Sequence, residues 1–137
     1  MTPQDYVAFA KRFVGAIEAG DVEAVRACYA PDAKIWHNHD GLEQTVEQNL
    51  KAVAWFARTL PNRRYRVTRR EALPDGFLQQ HVLEATLADG APWALDACVV
   101  VRMKDGLITR LEEYLDSAQA AALTQRLAAL KAQGTAS

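Results

Sequence analysis

Cysteine is scarce: Cys28 and Cys98 are the only two, and they stand far apart without metal-ligand spacing. That excludes a cysteine-rich zinc site and a disulfide-stapled scaffold. Both thiols read as buried and free, in a reducing compartment, so a cytoplasmic location is expected. Neither charge sign dominates. A formal net charge of -1 over 137 residues gives no electrostatic case for nucleic acid or an anionic membrane as partner. No apolar run approaches the roughly 18–20 residues that span a bilayer. The opening MTPQDYVAFAKRF has no apolar h-region or cleavage site of a signal peptide. There is no repeat, linker or low-complexity tract, so a single domain is expected. Histidine is also rare, and two of the three lie in one stretch, Tyr29 to Gly41.

What is present is ordinary globular usage: half the residues are hydrophobic and 24% are charged, enough to build a real core. Thr2-Pro3-Gln4-Asp5 has the chemistry of a helix start, and Tyr6, Phe9, Phe13 and Ile17 follow at helical spacing. Gly20 stops that helix and Asp21 caps a second, with Val22, Val25 and Tyr29 on its apolar face. Ala33 to Asn38 reads as a short strand. Asp40-Gly41-Leu42-Glu43 has the pattern of a capping box for a third helix carrying Val46, Leu50, Val53, Ala57 and Leu60.

Four strands are then expected: Arg63 to Leu73, Phe77 to Leu87, Trp93 to Met103 and Leu107 to Asp116. They are joined at Pro74-Asp75-Gly76, Asp89-Gly90 and Asp105-Gly106. Ser117 can cap a last helix, and Gln133 to Ser137 looks frayed. The order is α+β, with helices on one face of a bent antiparallel sheet.

Hairpin arithmetic sorts side chains onto faces. A two-residue turn at Asp89-Gly90 pairs Gln80 with Val99, Val82 with Ala97 and Glu84 with Leu95. One face then holds Gln80, Val82, Ala97 and Val99; the other holds Gln79, His81, Asp96 and Cys98. A bulge would reverse that strand and make His81 face His37. For the last hairpin, a three-residue Lys104-Asp105-Gly106 loop matches apolar rows and sets Leu111, Glu113 and Leu115 on the first face, with Glu113 opposite Ala97. Poor solvation would raise the pKa of such a carboxylate and suit it to acid–base work. His37 suits proton transfer at neutral pH. His39 and Asp40 read as loop and cap residues. A metal site from His37, His39 and His81 lacks an apparent fourth ligand, and no metal is expected. Arg63, Arg64, Arg66, Arg69 and Arg70 read as a solvated edge-strand face.

With its AIEAGDVEAVRACYAPDAKIW opening, WHN step, two DG hairpins and GLITRLEEYLD strand, the chain resembles the SnoaL-like branch of the NTF2-like superfamily. The resemblance covers most of the chain. It implies a conical α+β fold enclosing an apolar pocket, often as a homodimer. Among ketosteroid isomerases of that superfamily the base position falls on His37, while the oxyanion-hole positions fall on Phe13 and Val99 and carry no donor. Among the epoxide hydrolases an acid position falls on Glu113. Their Arg and second Asp fall on Gln80 and Val82, and Trp36 and Asn38 stand where a Tyr and an Asn would be.

The implied activity is a cofactor-free proton shift (isomerisation, cyclisation or dehydration) on a small apolar carbonyl-type molecule. His37 would move the proton and Glu113 would partner it. Gln80 or Asn38 would hold a substrate oxygen, and Phe13, Trp36, Val82, Val99 and Leu115 would wall the pocket. Only one of His37 and Asn38 can point in. The alternative is a non-catalytic binding or dimerisation module of the same superfamily.

Overall fold

The first helix is set by its ends. In this computed structural model, which describes residues 1–136, α1 spans Pro3–Ala19. Thr2 and Asp5 form a reciprocal capping box, Pro3 occupies the first turn, and Gly20 closes the helix at φ 71°. Asp21 then accepts from the Ala24 amide and starts α2, Val22–Arg26. That helix is one turn shorter than its apolar spacing predicts, because Tyr29 already belongs to strand β1, Tyr29–His37.

The third helix starts later than expected. The Asp40 carboxylate accepts from the Leu42 amide at 3.0 Å, a local turn rather than a cap. Glu43–Gln44 follow as a two-residue strand, β2, against β1. The cap is Thr45, boxed with Gln48, and α3 runs Val46–Thr59. Strands β3 (Arg64–Leu73), β4 (Gly76–Thr86), β5 (Pro92–Lys104) and β6 (Leu107–Leu115) follow. The last helix, α4, covers Ser117–Ala136, so the expected fraying from Gln133 is absent as far as Ala136; Ser137 lies outside the described residues. Its cap is Asp116 rather than Ser117: the Asp116 carboxylate accepts from the Gln119 amide at 3.0 Å.

The sheet order is β2-β1-β6-β5-β4-β3, antiparallel except for the parallel pair β1 and β6. Helices pack on one face of this curved, open sheet, an NTF2-like α+β cone. Among the described residues no helix is long and apolar enough to cross a membrane.

Two turns decide which side chains face inward. Between β4 and β5 the loop is Ala88-Asp89-Gly90, closed by the Leu87 amide on the Ala91 carbonyl, with Gly90 at φ 86°. This three-residue loop adds one residue to the two-residue turn that the sequence predicts. The pairing therefore becomes Gln79 with Val99, His81 with Ala97 and Leu83 with Leu95. Gln80 and Val82 lie on the outer face, opposite Cys98 and Asp96, and Gln79 and His81 point inward.

The last hairpin corrects in another way. Asp105 and Gly106, at φ 53° and 79°, form a tight two-residue turn, and Lys104 pairs with Leu107. The extra residue enters further on, as a bulge at Thr109 whose hydroxyl donates to the Arg102 carbonyl. Beyond it Leu111, Glu113 and Leu115 face inward as expected, but Glu113 stands opposite Val99 rather than Ala97.

Candidate active site

Apolar side chains on the inner face form two clusters. One gathers Phe9, Phe13, Ile35, Val53, Phe77 and Val101 under α1 and α3; the other gathers Leu60, Leu83, Trp93, Leu95 and Leu123 under α4. Each borders a cavity. The inner cavity is about 110 Å³ and is lined mainly by α1, α3 and the sheet, including Phe13, Val53, Val99 and Leu111. The outer cavity is about 300 Å³ and lies beside α4, with Leu95, Leu115, Leu123 and Trp55 among its walls. His37, Ala52, Phe56, Tyr65, His81 and Glu113 line both, so the titratable groups stand at the junction.

At that junction His37 Nε2 is 3.0 Å from Glu113 Oε1, with side chains 15% and 20% exposed. The two residues are register partners in the parallel β1–β6 pair, which is why strands so distant in sequence meet there. The His37 pKa is the balance of opposed effects. Burial is the largest single one and lowers it; the hydrogen bond and negative charge of Glu113, helped by Asp40, outweigh burial and leave it above the ordinary 6.5. His81 is 6% exposed, and burial takes its pKa below 6.5. The Glu113 charge opposes that shift and Arg70 adds to it. Its ring meets that of Tyr65 at 5.2 Å.

Two phenols complete the lining. Tyr29 donates to Asn49 Oδ1 at 3.0 Å, and burial, with Glu113 adding, pushes both Tyr29 and Tyr65 well above the usual phenol range. They remain neutral donors. Arg63 is 8% exposed and closes the inner end, donating to the Leu60, Ile17 and Glu18 carbonyls. The reading of this arginine row as solvated fails for Arg63, and also for Arg70, which turns inward to Gln79.

Of the residues singled out from sequence, the structure brings together His37, Glu113, His81, Phe13, Val99 and Leu115. Asn38 is not with them. Its amide clamps the Leu115 backbone through Nδ2 to the carbonyl at 3.2 Å and the Leu115 N–H to Oδ1 at 2.9 Å. The choice between His37 and Asn38 thus falls to His37. Trp36 alternates to the outer face, edge-on to Tyr114 at 5.2 Å, and lines neither of these two cavities. Gln80 and Val82 are outside for the loop reason above. Sequence reasoning missed Tyr29, Tyr65, Asn49 and Gln79. The signal for Gln79 was the Ala88-Asp89-Gly90 loop: a glycine in third place suits a bulged turn as well as a tight one. Among the described residues no group of three or more His, Cys, Asp or Glu is arranged to hold a metal ion.

The model of the SnoaL-like domain matches residues 10–111, well over half of the sequence. The chain belongs to the SnoaL-like family. No curated protein matches it in sequence. Among solved structures, this SnoaL-like chain is similar to PrhC from Penicillium brasilianum: 18% identity, 96% of this chain and 93% of that one covered, TM-score 0.84. It is similar also to AclR, a candidate hydroxylase from Streptomyces galilaeus (14% identity, 88% and 85% covered, TM-score 0.78). A third is IdmH, a candidate polyketide cyclase from Streptomyces antibioticus (20% identity, 84% and 94% covered, TM-score 0.74). At these identities the SnoaL-like likeness speaks for the fold alone.

Proposed function

We propose that this SnoaL-like protein catalyses a cofactor-free proton transfer, an isomerisation, cyclisation or dehydration, on a small apolar molecule with a carbonyl or enolisable centre. The observation that carries this reading is the 3.0 Å contact of His37 Nε2 with Glu113 at the junction of two largely apolar cavities. With neutral His37 carrying its proton on Nε2, toward Glu113, Nδ1 is bare. Nδ1 takes the proton alpha to the carbonyl; Glu113 holds the ring and stabilises the imidazolium that forms. The imidazolium then returns the proton to another atom of the same substrate, so no oxidant or reductant is needed. Phe13, Val99, Leu111 and Leu115 supply apolar walls.

The test is α-hydrogen exchange of a panel of apolar ketones in deuterated water, followed by NMR. Exchange should rise with pH as His37 loses its proton, with an apparent pKa above 6.5. His37→Ala should remove that limb and slow exchange by about 10²–10⁴-fold. Binding of the ketones without exchange would leave the non-catalytic reading in its place.

A further inference from the structure

Behind His81 runs a line of hydrogen bonds, buried at Gln79 and His81 and partly buried at Arg70, that the proton-transfer step above does not use. Arg70 Nε donates to Gln79 Oε1 at 2.8 Å, and Gln79 Nε2 lies 3.0 Å from His81 Nδ1. Gln79 is fully buried, at 0% exposed. The direction of each bond follows from counting donors. A guanidinium has no acceptor, so the Gln79 oxygen must face Arg70. The Gln79 NH₂ must then face His81, and two donors cannot share one contact, so Nδ1 is bare and the ring proton sits on Nε2. A second proton on Nδ1 would meet the Gln79 NH₂, and rotating that amide would break its bond to Arg70. The sequence order of these groups is set by the β3–β4 pairing, which places Arg70 directly opposite Gln79, and by strand alternation, which puts Gln79 and His81 on one face.

We propose that Arg70, Gln79 and His81 form a fixed donor line that presents His81 Nε2–H to an oxygen of the bound molecule, across the cavity junction from His37 and Glu113. His81 touches the ligand; Gln79 and Arg70 are positioning residues. The inference rests on the proton-transfer reading for its chemistry, because an oxygen that gains negative charge as His37 removes a proton needs a donor already in place. It also supplies what Phe13 and Val99 lack. The ligand it selects carries a carbonyl, enol or phenol oxygen on an otherwise apolar body. Around His81 stand Tyr65 and Arg70 from β3, Gln79 from its own strand, and Glu113 from β6.

The experiment has two arms on the intact chain. Long-range ¹H–¹⁵N NMR of ¹⁵N-histidine protein at neutral pH should show His81 as the neutral Nε2–H tautomer, and Gln79→Leu should replace that signature with a mixture of tautomers. A His81 found as Nδ1–H or doubly protonated overturns the proposal. The second arm compares binding of 2-naphthol with binding of naphthalene, which has the same rings and no oxygen. Wild type should favour 2-naphthol, and His81→Leu should cut that preference about tenfold. His81→Gln, whose amide nitrogen reaches toward the Nε2 position, should keep most of it. A preference that is absent in wild type or unchanged in His81→Leu overturns the donor role. If the tautomer and the preference hold while no ketone exchanges, the donor line stands and the proton-transfer reading falls. If exchange holds while His81 carries Nδ1–H, the reverse is true.

Discussion

His37 and His81 stand at one junction but respond to pH in opposite senses. His37 gains a carboxylate partner on folding and its pKa rises; its contribution to stability is full below the unfolded value of 6.5 and is lost as pH rises through the higher folded value. His81 is buried neutral and its pKa falls. Its contribution is full above 6.5 and is lost as pH drops through the lower folded value. Urea midpoints measured from acid to mildly alkaline pH should therefore fall away on both sides of a plateau. His37→Gln should flatten the alkaline limb and leave the acid limb, and His81→Gln should do the converse. If both variants flattened the same limb, the opposed assignments would be wrong.

At the scale of elements, the phase of a strand depends on single inserted residues. Thr109 is one, taken up by the β6 bulge. Deleting it would leave Ile108 opposite Met103 and Arg110 opposite Arg102 and restore unbroken alternation, so Leu111, Glu113 and Leu115 would still face inward. The cost should stay within about 1 kcal/mol, since no charge is buried and no apolar row is exposed. Circular dichroism during a urea titration should show a cooperative transition with a near-native midpoint; loss of that transition would contradict the bulge assignment. That dependence of phase on inserted residues explains what could be read from sequence. Helix α1, the apolar row Leu111, Glu113, Leu115 and the inward side of β5 were legible, since caps and alternation mark them locally. The side of β4 was not: Phe77 to Leu83 carries Gln80 in one phase and Gln79 with His81 in the other, so only the loop length discriminates. Asp40 likewise fits a cap pattern, and only the pairing of Glu43–Gln44 with β1 shows it to be a turn.

Over the whole molecule, α4 makes an apolar roof separate from the one under α1. Leu123 is 4% exposed and packs in the cluster that also holds Leu60, Leu83 and Leu95. Trp93 ties to the helix through its indole N–H on the Gln119 carbonyl at 2.9 Å. Leu123→Ala should cost about 2–4 kcal/mol in urea unfolding. It should enlarge the outer cavity, which His37 also lines, and less burial of that ring should keep its NMR midpoint above 6.5; a midpoint below 6.5 would contradict the Glu113 pairing as the cause of the raised value.

The parallel pairing of β1 with β6 also has a consequence in time. The Asn38 clamp on Leu115 joins residues 77 apart in the chain, and the His37–Glu113 contact lies in the same ladder. Such closure is late in any order of folding that builds hairpins first, since the three antiparallel turns between β3 and β6 need far shorter loops. The proton-bearing pair therefore does not exist until the last strand has docked. A stopped-flow trace of His37 ionisation would time the closing of the sheet, with chemistry serving as the clock for assembly.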